Sequence, residues 1–268
     1  MADAAIAMTE RMIDPAVANA RRRRWAVFAG RALLIVAVLG VWQLASPKLD
    51  PVIFSSPLQI AQRLGEWLAN GTLWKNLLVT GEEVALGYVI GAAAGVVLGL
   101  VLGSYPVLAE ILDPVLMAIY GVPKIAFGPL FVVWFGINIT PKLVITAIMV
   151  FFFMFFSTYD GVRRVDKSLI NSIRLMGATP LQERLLVTIP GSLPSIFLGL
   201  KLAVPEALVG AIVGELIVSN HGVGYLIQFA ATQLDSAGVF AGLFVLMLLA
   251  LVANSIVKLA SEKKGTYE

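Results

Sequence analysis

The sequence predicts an all-α protein that is integral to a membrane and has about six transmembrane helices. Of its 268 residues, 59% are hydrophobic and only 14% are charged, and the mean hydropathy is +0.87. A soluble domain of this size is roughly 45–50% apolar and about 25% charged. The excess of apolar residues indicates that lipid, and not water, surrounds most of the surface.

Six apolar segments are each long enough to cross a bilayer, which takes about 20 helical residues. Strands are a poor alternative, because the strands of a membrane barrel alternate polar and apolar residues and these segments do not. The predicted spans lie near residues 25–45, 74–103, 107–135, 139–160, 193–218 and 238–260.

The distribution of lysine and arginine predicts the orientation of the chain. With a cytoplasmic N-terminus, thirteen of the twenty basic residues fall on the cytoplasmic side, four on the outer side and three within spans. The outer four are Lys48, Arg63, Lys75 and Lys142. By the positive-inside rule, both termini are therefore cytoplasmic.

The N-terminal segment ends in four arginines, at positions 21–24, directly before the first span. A basic cluster in this position anchors the topology and does not indicate nucleic-acid binding. The first span is longer than the apolar region of a signal peptide and lacks a clear small-residue cleavage site. We therefore predict a disordered cytoplasmic tail over residues 1–24 and one transmembrane domain over residues 25–268.

A short amphipathic helix is predicted on the outer face, between spans one and two. Ser56 suits the N-cap and Pro57 suits the first helical position. Asn70 and Gly71 end the pattern. The apolar stripe of this helix consists of Leu58, Ile60, Ala61, Leu64 and Leu68.

Span two carries a glycine at every fourth position over four turns. This spacing places the glycines along one gently drifting face of the helix. In a membrane, small residues let the backbone of another helix approach closely, so we predict tight helix packing, with pore lining as the alternative. The five glycines are Gly87, Gly91, Gly95, Gly99 and Gly103.

Span three is interrupted near its centre by YGVPKIAFGPL, residues 120–130. Proline removes a helix hydrogen bond and clashes with the preceding turn. At membrane depth, irregular backbone persists only where it is buried in protein or faces a watery cavity. Lys124 lies inside this predicted break.

Span five also carries ionisable residues, with Pro205 as a predicted kink beside Glu206, and Glu215 further on. Charged groups inside a membrane usually face the protein interior and pair. Lys124 and Glu206 are predicted at similar depth on different spans. Either they form a buried ion pair that joins spans three and five, or they line a translocation path together with Glu215; the two roles are compatible.

The polar loop over residues 161–192 predicts two short helices joined by a turn. Asp166 suits the N-cap of the first helix, and Gly177 suits a left-handed C-terminal cap. Thr179, Pro180 and Gln182 form the signature of a capping box that begins a second helix, predicted to end at Pro190. The apolar stripe of this hairpin favours docking into the groove of a partner, with an interfacial hairpin on lipid headgroups as the alternative.

Residues 161–203, GVRRVDKSLINSIRLMGATPLQERLLVTIPGSLPSIFLGLKLA, resemble the EAA loop of bacterial ABC-importer permeases. Gly177 and the pair Ile189–Pro190 match that motif, and Asn171, Ser172 and Ile173 stand where the family has Glu-Ala-Ala. PLFVVWFGI at 129–137, STYDGVR at 157–163, and VGELI and GVGYLI within 213–227 extend the likeness. It covers nearly the whole chain after residue 50, and within the ABC permeases it looks like the nitrate, sulfonate and taurine group.

The resemblance implies a type I permease fold in a bacterial inner membrane. It implies a homodimer of this chain, two ATPase subunits that bind ATP and Mg, and an extracytoplasmic solute-binding protein. The expected solute is small, polar and anionic, with a pyrimidine-like or other small organic nutrient as the alternative. The implied ATPase-coupling residues are Leu169, Ile170, Ile173, Arg174, Gly177, Ala178 and Thr179.

Catalytic and metal-binding motifs do not occur in the sequence. There is no G-x-x-x-x-G-K-[ST] phosphate loop, no nucleophile triad and no metal-ligand cluster, with no cysteine and a single histidine, His221. We therefore predict that the chain is not an enzyme, and we expect it to bind no cofactor, metal or nucleic acid. A secondary carrier is an alternative, but its expected inverted repeats are not visible. A structural scaffold would leave the interrupted, charged spans unexplained.

Overall fold

A computed structural model describes residues 2–50 and 52–262, with side-chain surroundings for residues 23, 25–50, 52–105 and 107–256. Within these ranges every regular element is helical, which confirms the predicted all-α class. Five helices are long and apolar enough to cross a membrane, and one bent pair gives a sixth span. The chain divides into two compact units, one up to Gln62 and one from Arg63.

The first helix, α1, runs over Ala2–Ala45 and is followed by a 3-10 turn at Ser46–Lys48. Its apolar, membrane-length part begins at Trp25. The helix also includes residues 2–24, for which the sequence predicts a disordered tail. Nearly all side chains of that segment lie outside the described residues, so the boundary at 24/25 stays a prediction.

The predicted amphipathic helix is α2, Pro57–Ala69. The Ser56 hydroxyl accepts a bond from the Gln59 backbone N–H at 3.2 Å, and the Gln59 side chain accepts one from the Ser56 N–H at 3.0 Å. These two bonds satisfy first-turn donors that would otherwise be unpaired. Gly71, with φ of +76°, follows the helix end. The predicted start and stop signals are therefore confirmed.

Three long helices form the core of the second unit: α3 at Thr72–Ser104, α6 at Ile139–Arg163 and α9 at Ile189–Ile217. All five stripe glycines of α3 face α6, where their partners advance from Thr146 beside Gly87 to Val162 beside Gly103. The two helices therefore run parallel. Because Gly199 lies near Ser157 and Gly214 near Lys142, α9 runs antiparallel to α6. This is the close packing that the four-residue spacing predicts.

Span three is broken, as the sequence predicts. It consists of α4 at Pro106–Gly121, a 3-10 turn at Lys124–Phe127 and α5 at Gly128–Phe135. The two halves are bent by 79°. The cause is local, because Pro123 and Pro129 each remove a backbone donor and Val122, which precedes a proline, is extended.

The loop between α6 and α9 contains α7, Lys167–Leu175, and α8, Pro180–Glu183. The prediction that the second helix ends at Pro190 is wrong. A π-helical segment at Arg184–Thr188 continues directly into α9, so one helix extends over Pro180–Ile217. The wider π turn lies directly before Pro190, where a proline ring and a missing N–H disturb an α-helix, and Pro194 and Pro205 also lie inside α9.

The last two helices are α10, Val223–Thr232, and α11, Ser236–Glu262. The α10 helix is too short to span a membrane, and it packs on α11 and on the end of α9. The α11 helix supplies the final apolar span. The α10 helix and the start of α11 lie beside the end of the bundle where α3 begins and α9 ends.

Candidate functional site

The α7–α8 hairpin, residues 166–183, is built by the capping residues that the sequence predicts. The Asp166 carboxylate accepts a bond from the Ser168 backbone N–H at 2.8 Å, and this bond lowers the pKa of the Asp166 carboxyl below its ordinary value. At α8, Thr179 and Gln182 form the complete capping box. Both helix starts are thereby satisfied without help from the membrane-spanning helices.

The turn between α7 and α8 depends on Gly177, whose φ is +86°. Its backbone N–H donates to the Arg174 carbonyl at 2.9 Å, and the Ala178 N–H donates to the Ile173 carbonyl at 3.1 Å. These two bonds define a Schellman motif, which requires a left-handed residue at this point. The turn therefore gives Ile173, Arg174, Gly177 and Ala178 a definite structural role.

The tip of the hairpin exposes apolar side chains. Leu169 is 57% exposed, Leu175 is 90% exposed and Met176 is 86% exposed, while Ile170 and Ile173 are half-buried. Large apolar groups gathered on a polar segment mark an interaction surface. The sequence predicts Leu169, Ile170, Ile173 and Met176 on the apolar side of the first helix, but Leu175 was missed. Its position just before the turn glycine is the signal that would have identified it.

Two arginines hold the hairpin in place, one by a contact within it and one by a contact with the bundle. Arg174 of α7 makes two bonds to the Glu183 carboxylate of α8, from Nε at 2.6 Å and from Nη2 at 2.9 Å. Arg184, at the start of the π segment, donates from Nη1 to the Tyr105 hydroxyl at 2.7 Å. Tyr105 lies between α3 and α4, so the hairpin is joined to a corner of the bundle.

Lys124 lies at the break of span three among aromatic rings. Its Nζ is 4.0 Å from the centroid of the Tyr120 ring and 5.3 Å from that of Phe152, and it donates to the Tyr120 carbonyl at 3.1 Å. Within the described part of the chain it has no acidic partner. In particular, no ion pair joins it to half-buried Glu206, so the predicted pairing of these two residues is not found.

Glu215, the third residue predicted for the translocation path, is buried in a polar cluster instead. Its carboxylate accepts bonds from the Thr80 hydroxyl at 2.6 Å and from the Gly224 backbone N–H at 2.5 Å. It therefore links α9 to α3 and to the start of α10. The structure does not bring Lys124, Glu206 and Glu215 together in one ion-pair network.

The same cluster contains a buried ion pair that the sequence analysis missed. Lys142 of α6 contacts the Glu83 carboxylate of α3, and their side chains are 8% and 0% exposed. The distribution of basic residues predicts Lys142 on the outer side, together with Lys48, Arg63 and Lys75, and predicts no partner for it. A signal for the pair was present, because Asn76, Thr80 and Glu83 continue the glycine face of α3 at helical spacing.

A cavity of about 440 Å³ opens at this end of the bundle. Its walls include Trp67, Lys75, Asn76, His221 and Tyr225. Arg63 forms ion pairs with Glu66 at 2.7 Å and with Asp235 at 3.0 Å beside the cavity. Since α3 runs from this cavity to the corner at Tyr105, the cavity and the α7–α8 hairpin lie at opposite ends of α3.

Most of this chain matches a known protein family. Residues 91–264 match the family described as the binding-protein-dependent transport system inner membrane component. The matched region includes the glycine stripe from Gly91, the broken span, the hairpin and α9 to α11.

Individual relatives cover nearly the full length. The chain is 32% identical to the formylaminopyrimidine transport permease protein ThiX of Halalkalibacterium halodurans, over 84% of this chain and 90% of the relative. It is 30% identical to SsuC of Bacillus subtilis, named for the transport of aliphatic sulfonates, over 92% of this chain and 91% of the relative.

A solved structure with the same fold is that of the MetNI methionine ABC transporter in inward-facing conformations. The TM-score is 0.51 at 19% sequence identity, and the match covers 76% of this chain and 98% of the other. At this identity the likeness concerns the fold alone.

Proposed function

The chain belongs to the family of binding-protein-dependent transport system inner membrane components, and from that premise we propose which solute it carries and how it assembles. Membership makes it a multi-pass inner-membrane permease of an ABC importer of the nitrate, sulfonate and taurine type. The chain is not itself an enzyme, because ATP hydrolysis in such importers belongs to a separate subunit.

The solute that we propose is a small polar molecule with an anionic sulfonate group, such as taurine. The observation that carries this proposal is Lys124, a cation at the bend of span three with aromatic neighbours and no acidic partner among the described residues. A cation at membrane depth is costly and marks a functional site when it is unpaired. The name of the Bacillus subtilis relative also supports a sulfonate.

A pyrimidine-like nutrient is the second candidate. The observation that favours it is the similarity to ThiX, whose name specifies a formylaminopyrimidine. In that case Tyr120 and Phe152 would stack against the ring of the solute, and the ammonium of Lys124 would add a hydrogen bond.

The assembly that we propose is a homodimer with two ATPase subunits and one solute-binding protein. The exposed apolar tip of the α7–α8 hairpin supports docking to an ATPase, which would bind ATP and Mg. The cavity at the opposite end of α3 would face the binding protein. Both termini would then be cytoplasmic. The chain has no native cysteine, so labelling of single cysteines from outside the cell tests this orientation directly.

The mechanism that we propose is alternating access. Closure of the ATPase dimer would move the α7–α8 hairpin, and the helices around the break in span three would reorient. Lys124 would hold the anionic group of the solute during this change. Glu206, half-buried on α9, would lie along the path.

Replacement of Lys124 tests the solute assignment. A hydrogen bond to a charged group contributes about 1.5–3 kcal/mol, which corresponds to roughly tenfold or more in affinity. We expect Lys124→Met to reduce taurine uptake by at least about tenfold in proteoliposomes that contain the whole importer. Assembly with the ATPase should be unchanged.

Lys48→Met is the matched control, because Lys48 is an exposed lysine in the 3-10 turn that ends the first apolar helix and has no ion-pair partner among the described residues. It should transport taurine normally. Full taurine uptake by Lys124→Met would show that Lys124 does not bind the solute in the translocation path. Uptake of a formylaminopyrimidine, and not of taurine, by the unmodified importer would favour the second candidate.

A further inference from the structure

Glu183 and Arg184 are neighbours at the junction of α8 and the π segment, and each binds a different element. Glu183 is held by Arg174 of α7 through two bonds, at 2.6 and 2.9 Å. Paired charge-assisted bonds of this kind fix both the separation and the relative plane of the two groups. The two helices of the hairpin are therefore tied together at the residue that precedes Arg184.

Arg184 contacts Tyr105 in two ways. Its Nη1 donates to the tyrosine hydroxyl at 2.7 Å, and its guanidinium carbon is 4.2 Å from the centroid of the ring. A guanidinium that both stacks on a ring and binds its hydroxyl resists sliding as well as separation. The contact joins segments 79 residues apart in the chain.

Tyr105 is the single residue between α3 and α4. Its backbone N–H donates to the Leu102 carbonyl of α3 at 3.3 Å, and its own carbonyl accepts from the Ala109 N–H of α4 at 3.0 Å. The α4 helix then runs to Gly121, where span three breaks beside Lys124. A displacement at Tyr105 is therefore carried along α4 to the break.

A π-helical segment lies between the hairpin and α9. It covers Arg184–Thr188 and begins at the residue that contacts Tyr105. The Thr188 hydroxyl is 3.5 Å from the Glu183 carbonyl, at the outer limit of a hydrogen bond. Single π turns inside α-helices occur mostly at functional sites.

We propose that the contact between Arg184 and Tyr105 is a mechanical link that carries movement of the α7–α8 hairpin to α4 and to the break in span three. Both are positioning residues, because they act through α4. This role rests on the proposed function, in which an ATPase moves the hairpin. The hairpin is also continuous with α9, which receives its movement directly through the chain. The contact between Arg184 and Tyr105 therefore provides a second route, which leads to span three.

The test compares uptake with ATP hydrolysis in the complete importer reconstituted in proteoliposomes. Arg184→Ala should keep the ATPase bound and keep ATP hydrolysis within about twofold, while the solute transported per ATP falls about tenfold, a size typical of coupling between sites. Tyr105→Ala should cause the same loss. The double variant should be no worse than either single variant, because both remove one contact. Tyr105→Phe, which keeps the ring, should retain part of the coupling.

Arg164→Ala is the matched control, because Arg164 is exposed near the hairpin and has no side-chain partner in the described part of the chain. It should leave the transport ratio unchanged. An unchanged ratio in either Arg184→Ala or Tyr105→Ala would overturn the link. If Arg184→Ala releases the ATPase, Tyr105→Ala, which leaves the hairpin sequence intact, decides the question, and it must still lower the ratio.

A distance measurement separates this inference from the assignment of the solute. Spin labels at Lys167→Cys in α7 and Ile111→Cys in α4 report whether the two elements move together. We expect their separation to stay constant through the ATP cycle and to change when Arg184 is replaced by alanine. A separation that varies equally with and without Arg184 would overturn the link. Failure of the unmodified importer to carry taurine would contradict only the proposed solute, and not the link between Arg184 and Tyr105.

Discussion

At the scale of single residues, the ion pair between Lys142 and Glu83 is costly to bury. Two opposite charges lose their hydration when they are buried, and their mutual attraction offsets only part of that free-energy cost. The surrounding polar groups reduce this cost, since Lys142 also donates to the Ser219 hydroxyl at 3.1 Å. The cluster fastens α3 to α6 and, through Glu215 and Gly224, fastens α9 to α10.

Lys142→Met should destabilise the permease because it leaves the Glu83 carboxylate buried without its cation. Removal of one partner of a buried pair costs about 3–5 kcal/mol. We expect a clear fall in the thermal unfolding temperature of the detergent-solubilised protein. Lys142→Met/Glu83→Leu should recover most of the loss, because no charge is then stranded. Lys75→Met, at an exposed lysine of the same end, should be neutral, and a similar loss in that control would contradict the pairing argument.

At the scale of the element, the α7–α8 hairpin is specified almost entirely by its own residues. Each helix has its own N-cap, and a glycine with positive φ closes the turn between them. No atom outside the turn lies within 4 Å of a Cβ built at Gly177. A substitution at Gly177 therefore acts through backbone conformation and not through a steric clash.

Gly177→Val should weaken docking of the ATPase before it affects insertion or folding. A residue with a Cβ in the left-handed region costs about 1–2 kcal/mol. We expect the turn to relieve this strain by a change in backbone conformation that tilts α8 relative to α7. Co-purification of the ATPase from membranes measures the effect, and we expect a reduced yield together with loss of uptake. Gly177→Asn is the control, because asparagine tolerates this conformation, and it should retain the ATPase. Full coupling in Gly177→Val would refute the role of the turn.

At the scale of the whole molecule, the parallel packing of α3 on α6 organises the bundle. At Gly95, an added Cβ would lie 2.7 Å from both the Met154 Cβ and the Phe151 carbonyl, and 2.9 Å from the Phe155 backbone nitrogen. Two of these three atoms belong to the backbone of α6, so a side-chain rotation cannot relieve the overlap. The two helix axes would have to separate.

Gly95→Leu should therefore lower both the yield and the thermal stability of the permease. Overpacking costs about 1–3 kcal/mol when side chains can adjust, and we expect at least that where backbones must move. Gly81→Leu on the same helix is the matched control, because nothing lies within 4 Å of a Cβ at Gly81. The control should be neutral or slightly stabilising, since leucine favours helix over glycine. Equal behaviour of the two variants would contradict the close-packing account.

Features that arise within a few neighbouring residues could be predicted from the amino-acid sequence alone. The apolar segments identified the spans, prolines at 123 and 129 identified the break, and the residues from Asp166 to Gln182 specified both hairpin helices and their turn. Backbone sterics and local hydrogen bonds decide these features, so they can be predicted without knowledge of the rest of the fold. The glycine period of α3 likewise predicted which face meets another helix.

The contacts between residues that are distant in the chain became visible only in the folded structure. Lys142 pairs with Glu83, whereas Lys124 and Glu206, which the sequence suggested as partners, do not pair. Glu215 binds Thr80, 135 residues away in the chain, and is buried where a lining of the path was predicted. The helix also continues through Pro190, which a π turn directly precedes. Such contacts depend on the rotation and register of whole helices, and in a membrane these are set by packing against neighbouring helices, which no local pattern encodes.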